Sequence, residues 1–446
     1  MIWAVPHFCV TSEEKRMKTS SRTAYVNAAI LTGEPEMTPL TGHILFTEGD
    51  RILDIRPESA STEGFDIVDL NGAYLMPGLI NLHVHIPATG KPKKKQTDAR
   101  KLVRILTSNA LLRRVCYELC AEYVKPQLLS GVTTIRTVGG VLDIDSRLRD
   151  EIAAGKRVGP RILAANMAVS VPGGHMAGSL AYEAHSAEEA AAFVRRIAAE
   201  EPDLIKLMIT GGVLDAEKRG EPGELKMPPA YVQAACEEAH RLGLKVAAHV
   251  ESPEGVKTAL RNGVDSIEHG AMPDEEMLRL FREHNAVLVT TLSPALPFAL
   301  FDRELIGASE IQQFNGRIVF DGIVECARAC LAAGIPVGLG TDTGCPYITH
   351  YDMWREVNYF QKYCGVTNAF ALYTATLGNA RILGLADEIG SLTPGKCADL
   401  IATMENPLDN LQALRNVSLV VSKGRIADIS GLKKYPACER ELDKFL

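Results

Sequence analysis

Eight short apolar runs, alternating with stretches of helical periodicity, constrain this chain more than any other feature. Between about residues 75 and 385 the runs are LINLHVH, VTTIRTV, RILAANMAV, LIKLMIT, KVAAHV, SIEHG, AVLVTTLS and VGLGTDT. Near-continuous apolar strands mark a parallel sheet covered on both faces, and parallel strands need long crossovers between them. Segments such as SAEEAAAFVRRIAAE and DEEMLRLFREH supply the crossovers, and Ser186 and Glu189 have the spacing of a capping box. Eight such units predict an α/β fold, a (β/α)8 TIM barrel over residues 75–385. A doubly wound open sheet is the rival. It would want a glycine-rich phosphate turn after its first strand, where this chain has histidines.

The flanks read differently. AYVNAAIL, GHILFTEGDRILDI and FDIVDL precede the barrel, and DLIATM and VSLVVSKGRIADI follow it. These are short strands with turn signals at Glu48-Gly49-Asp50 and Lys423-Gly424. Neither flank can bury much alone, so residues 21–74 and 386–446 are expected to combine into one small β-sandwich. Residues 1–20 are expected to be a leader outside both units, with Met17 as a candidate start.

Composition narrows the function classes. With 46% hydrophobic and 23% charged residues the chain can build a large core, which excludes a disordered protein. The net charge is −7, and the one basic run is Lys93-Lys94-Lys95 beside Lys91, so no nucleic-acid partner is expected. No stretch approaches the ~18 apolar residues of a membrane span, and the first ten residues lack the basic start and cleavage site of a signal peptide. Ten scattered cysteines, with none in a C-x-x-C pair, fit reduced thiols in a cytoplasmic protein.

The chemistry lies at the strand ends. His83 and His85 are two apart, so strand alternation puts both on the face that becomes the barrel mouth, an arrangement that favours a metal over two satisfied core histidines. Lys206 lies inside LIKLMIT, where an ammonium must be paired, deprotonated or modified. His249, His269 and Asp342 close three further strands. An interior Lys–Asp ion pair and buried histidines are the bland alternative, but six such residues converge on one mouth.

These residues sit in the motifs PGLINLHVH (77–85), DLIKLMITGGVL (203–214), AAHVES (247–252), GVDSIEHG (263–270) and GLGTDTG (338–344), with GSLTPGKCADLI (390–401) in the tail. Together they resemble the amidohydrolase superfamily over about residues 24–429. The likeness is to its binuclear-metal branch with a carboxylated lysine, near prolidase-like and Xaa-Arg dipeptidases, ochratoxin amidases and imidazolonepropionases. The resemblance implies two divalent ions, with zinc the expected metal. His83 and His85 would hold the more buried ion and His249 and His269 the more exposed one. Lys206, as a carbamate derived from carbon dioxide, would bridge both. Asp342 would bind the buried ion and shuttle the proton while a bridging hydroxide attacks the carbonyl of a small-molecule amide or dipeptide-like substrate. His175, in VPGGHMAG, matches the loop histidine that meets the substrate carbonyl. A homo-oligomer is also implied.

Three rival activities remain on this barrel: a cyclic-amide hydrolase, a mononuclear deaminase and a non-catalytic relative. A deaminase wants a glutamate three residues after the fifth-strand histidine, where Ser252 stands, and leaves Lys206 without a role. Non-catalytic relatives lose ligands that this chain keeps. Candidate substrate residues are Glu251, on the same strand face as His249, with Arg136 and Tyr347; Arg136 doubles as a candidate ion-pair partner. His350 and Tyr351 are further candidates to line the mouth.

Overall fold

A computed structural model describes residues 22–92 and 98–446. The expected leader, Met17 and the lysine run at 93–95 lie outside the described residues. Four strands come first: β1 (Arg22–Leu31), β2 (Pro39–Glu48), β3 (Arg51–Pro57) and β4 (Asp66–Pro77). The barrel strands follow: β5 (Leu79–Val84), β6 (Val132–Thr137), β7 (Arg161–Leu163), β8 (Ala168–Ser170), β9 (Ala181–Glu183), β10 (Leu204–Met208), β11 (Lys245–Val250), β12 (Ser266–His269), β13 (Val287–Thr290) and β14 (Val337–Leu339). The tail adds β15 (Leu400–Thr403), β16 (Val417–Ser422) and β17 (Arg425–Ile426).

Both chain ends meet in one continuous seven-stranded sheet, ordered β17-β16-β15-β4-β1-β2-β3. The expected sandwich is therefore a single hydrogen-bonded sheet. Register shifts in β1 between Tyr25 and Ala28 and between Ala28 and Ile30 bend it around a core of its own, with Tyr25, Leu45, Leu75, Leu400 and Val421 inside. Both expected turns are present. Gly49, between β2 and β3, has φ +60°, and Lys423 and Gly424 have φ +50° and +70°, the paired positive values a two-residue hairpin loop requires.

The barrel strands run parallel, β5-β6-β7 on one side and β10 to β14 on the other. Backbone hydrogen bonds join the two sides. Asp342 N–H donates to His83 O and His85 N–H to Thr343 O, while Asp203 N–H donates to Ala164 O. Gly340 makes the first of these seams possible, because a Cβ there would lie 2.5 Å from that of His83. The third predicted strand is broken: β7 and β8 are separated at Asn166, which adopts φ +58°.

The crossover helices carry their predicted signals. In the helix Ala187–Ala198, Ser186 Oγ accepts from Glu189 N–H and the Glu189 carboxylate turns back to His185 N–H. Ala190, Val194 and Ile197 form its buried stripe. One tail segment departs from expectation. The helix Pro436–Leu442 lies against the barrel, because the fully buried Arg355 guanidinium binds Glu439 and Asp443 as well as Asp352.

Candidate metal centre and active site

Strand alternation delivers most of the site. Asn81, His83 and His85 point inward from β5, Arg136 from β6, Lys206 from β10 and His249 from β11. All are buried; Asn81 and Lys206 sit mid-strand, and the others lie at or near the carboxyl ends. His269 and Asp342 reach the same place by another route. They adopt φ +71° and +52°, a left-handed conformation that non-glycine residues take at some cost and that is frequent at functional sites.

The hydrogen bonds fix which imidazole nitrogens are free. His83 Nδ1–H donates to Glu268 Oε2 at 2.8 Å, and His85 Nδ1–H to the Gly139 carbonyl at 2.8 Å, leaving both Nε2 lone pairs facing the cavity. Those Nε2 atoms lie 3.6 and 3.2 Å from Asp342 Oδ1. His269 Nδ1 is held by the Thr291 hydroxyl at 2.6 Å, so its Nε2 is also free. His249 is reversed: its Nε2–H faces the Gly211 carbonyl at 3.3 Å and leaves Nδ1 open. Burial, with the charge of Lys206 second, lowers His83 to about 4. Burial, with the neighbouring histidines, takes His249 and His269 well below the usual imidazole value. Neutral imidazoles of this kind are ready ligands.

Lys206 is buried and its Nζ has no hydrogen-bond partner, so the interior Lys–Asp ion pair is not formed. Burial lowers its pKa to about 8 against the pull of Glu268 and Asp342. Asp342 Oδ1 is likewise buried and without a hydrogen-bond partner. Burial pushes the Asp342 carboxyl up, but His83, His85 and His269 together hold it well below the usual range. Candidate ligand atoms fall into two overlapping groups, His83–His269–Asp342 and His249–Glu251–His269, each with its atoms within 4.8 Å of one another. This donor set of imidazoles, carboxylates and a partnerless buried amine fits divalent metal ions of the zinc type.

The residues proposed around this centre separate clearly. His175 stacks on His249 with centroids 4.2 Å apart, and Asp215 holds its Nδ1 at 2.5 Å. Glu251 is half-buried at the mouth and accepts from Val213 N–H at 3.0 Å; burial and then Asp342 raise it to about 8. Of the two readings of Arg136, the ion pair is the one the structure shows, and the substrate contact is corrected. Its guanidinium is spent on Glu268 at 2.6 and 2.8 Å and on Leu82 O at 2.7 Å, beneath the histidines. Tyr347 is corrected too: it is buried against Phe301, and its hydroxyl donates to Leu305 O at 3.3 Å. His350 and Tyr351 are buried, bonded to Ala88 O and to Tyr435 N–H. Glu268, Thr291 and Asp215 escaped the sequence reading.

Residues 74–427 match the amidohydrolase family. The chain belongs to that family. It is a metal-dependent hydrolase acting on carbon–nitrogen bonds. A crystal structure from Bifidobacterium longum, provisionally described as a prolidase, is 35% identical with a TM-score of 0.84, covering 96% of this chain and 99% of the other. A Xaa-Pro dipeptidase crystallised with methionine in its active site is 29% identical with a TM-score of 0.80, covering 92% and 100%. Ochratoxinase of Aspergillus niger is 26% identical over 372 residues, which is 78% of this chain and 73% of the relative.

Proposed function

We propose that this hydrolase cleaves an amide or peptide-like bond of a small substrate at a centre of two divalent ions, zinc being the expected metal. His83, His85, His249, His269 and Asp342 would hold them together with a carboxylated Lys206. The observation that carries this reading is the pair of buried, partnerless polar atoms, Lys206 Nζ and Asp342 Oδ1, set among four imidazoles. Leaving such atoms unsatisfied is costly; bound cations would satisfy Asp342 directly and Lys206 once its nitrogen carries a carboxylate.

Lys206 is suited to carboxylation because burial lowers its pKa to about 8, leaving far more of the amine neutral near pH 7.4 than in an ordinary lysine. The neutral nitrogen adds to carbon dioxide and loses a proton, giving an anion that offsets cation charge. When bound, the ions supply Lewis acidity and water activation near neutral pH. Asp342, ionised and close to both β5 histidines, takes the proton of the attacking water and returns it to the leaving nitrogen. His175, with Nδ1 fixed by Asp215, turns Nε2 toward the substrate carbonyl oxygen. The products are a carboxylate and an amine.

The site does not favour deamination. Ser252, three residues after His249, is spent as the N-cap of the helix Pro253–Arg261, accepting from Gly255 N–H. We further propose a cytoplasmic homo-oligomer; nine free cysteines among the described residues, eight of them buried, suit a reducing compartment. Among the described residues no helix is long and apolar enough to cross a membrane. The test is a hydrolysis screen of N-acyl amino acids, dipeptides and cyclic amides with metal-loaded protein. Amine release that stops on chelation and in Lys206→Met is expected. No turnover of any amide class would overturn the reading.

A further inference from the structure

We infer that Asn315 is a positioning residue for His175: it latches the loop that follows β10 across the barrel rim, and that loop holds Asp215 against the His175 ring. The inference rests on the hydrolytic reading above, in which His175 meets the substrate carbonyl, and names what keeps that histidine in place.

The chain from Gly211 to Glu224 has the form of an Ω-loop. Its ends are tied to each other, with Gly211 N–H donating to Glu224 O at 2.9 Å and Thr210 bridged to Leu225. Gly223 is pressed onto the strand beside it, where a Cβ would come within 2.4 Å of the Glu251 carbonyl carbon. Between these anchors, residues 214–221 are largely exposed. The inner side of the loop carries Asp215, whose carboxylate accepts from Gly212 N–H at 2.9 Å and holds His175 Nδ1 at 2.5 Å. Beyond its stack on His249, that is the one hydrogen bond the His175 ring makes among the described residues. Exposed chain of this kind frays unless something outside it supplies a hold.

The hold comes from the helix Glu310–Ala332, which lies between β13 and β14 in the chain. Asn315 is fully buried on that helix, alongside Val319, Phe320 and Ile323. Asparagine is a poor helix former, and a buried amide without partners is costly. Both ends of this amide are spent on the loop. Gly220 N–H donates to Asn315 Oδ1 at 2.8 Å, and Asn315 Nδ2–H donates to Lys218 O at 2.8 Å. Surface contacts reinforce the latch: the Arg219 guanidinium lies 3.9 Å over the Phe314 ring and pairs with Glu310 at 3.0 Å, an exposed pair of small worth by itself. In the sheet, β11 and β12 separate β10 from β13, so the latched loop crosses the rim past the strands that carry His249 and His269. Without Asn315 the loop keeps its tied ends but loses its outer anchor, and Asp215 no longer has a fixed distance to His175.

The test uses the zinc-loaded wild type, Asn315→Ala, Asp215→Ala, the double variant and Phe314→Ala, with metal content measured for each. Two readouts need no substrate. Trypsin should nick the chain after Lys218 or Arg219 roughly tenfold faster in Asn315→Ala than in the wild type. The downfield N–H proton signal of His175, identified by its loss in Asp215→Ala, should disappear in Asn315→Ala as well. Asn315→Ala should also lower kcat about tenfold to a hundredfold on any amide the wild type cleaves, at unchanged metal content. The double variant should be no slower than Asp215→Ala alone, because both changes remove the same hold. Phe314→Ala alters only the exposed flank of the latch and should speed nicking to a smaller extent, so it decides the inference where Asn315→Ala folds poorly. Unchanged nicking, a His175 signal that survives in Asn315→Ala, additive losses in the double variant, or loss of metal from Asn315→Ala would overturn the inference and leave the hydrolytic reading standing. A wild type that cleaves no amide would overturn the hydrolytic reading, while nicking and the proton signal still decide the latch.

Discussion

The Arg136–Glu268 pair beneath the histidines offers the sharpest test of how the barrel carries its site. Glu268 is fully buried and accepts from Arg136 Nη2, Ser266 Oγ and His83 Nδ1. Arg136 is 5% exposed and has no other carboxylate among the described residues. The guanidinium and His83 together hold Glu268 far below the usual carboxylate range even though burial pushes it up. Glu268→Gln keeps the shape but removes the charge, so a buried guanidinium loses its counter-ion and one of the carboxylate's two acceptor atoms becomes a donor. Breaking a buried pair in this way costs about 3–5 kcal/mol. Arg136→Met strands Glu268 and should cost a similar amount. The double variant Arg136→Met/Glu268→Gln leaves neither charge exposed to the other's absence, so its loss should fall short of the summed single losses by at least ~2 kcal/mol. Equilibrium urea denaturation of metal-free protein, followed by far-ultraviolet circular dichroism, reads all four states. Additive losses, or a Glu268→Gln cost below about 1 kcal/mol, would refute the claim that this ion pair is a dry support for His83.

Two further outcomes follow from buried groups near the centre. Asp145 is fully buried, with no well-formed hydrogen bond to either carboxylate oxygen; burial raises it to about 6, and the nearby Thr137 hydroxyl and His85 pull only weakly the other way. The native state thus binds a proton more tightly than the unfolded chain between about pH 4 and 6, and stability falls as pH rises through that window. Asp145→Asn should therefore stabilise the protein at pH 7.5 by up to about 3 kcal/mol, with a gain that shrinks toward pH 5; a gain independent of pH, or a loss, would contradict this in chemical denaturation. Thr291→Val removes the hydroxyl that orients His269 and should weaken zinc binding about tenfold to a hundredfold, measured by competition with a chelator.

Much of the site could be read in the chain because a strand repeats every two residues. His83, His85, Lys206, His249 and Glu251 needed only that rule and a barrel to be placed together. Glu268 shows where the rule stops. Alternation puts Glu268 opposite its neighbour His269, yet both face inward, because φ +71° at His269 turns its side chain back into the barrel. A charged residue inside the apolar run SIEHG was the available signal. Asp215, Thr291 and the Gly139 carbonyl arrive from loops 40, 22 and 54 residues away from the histidines they hold, and no local pattern records such meetings. Tyr347 illustrates the converse. Its place near the mouth was legible, but not that a partner inside the protein had already taken its hydroxyl. The docking of the last helix on Arg355 belongs to the same class of long-range pairing.

Metal stoichiometry after zinc reconstitution in bicarbonate buffer, with excess metal removed, tests the proposed centre most directly. Two ions per chain are expected in the wild type, falling to one or fewer in Lys206→Met, because that variant keeps the four imidazoles and Asp342 but cannot form the bridging carbamate. A single ion in the wild type, or two ions retained in Lys206→Met, would contradict a binuclear centre built on a carboxylated Lys206.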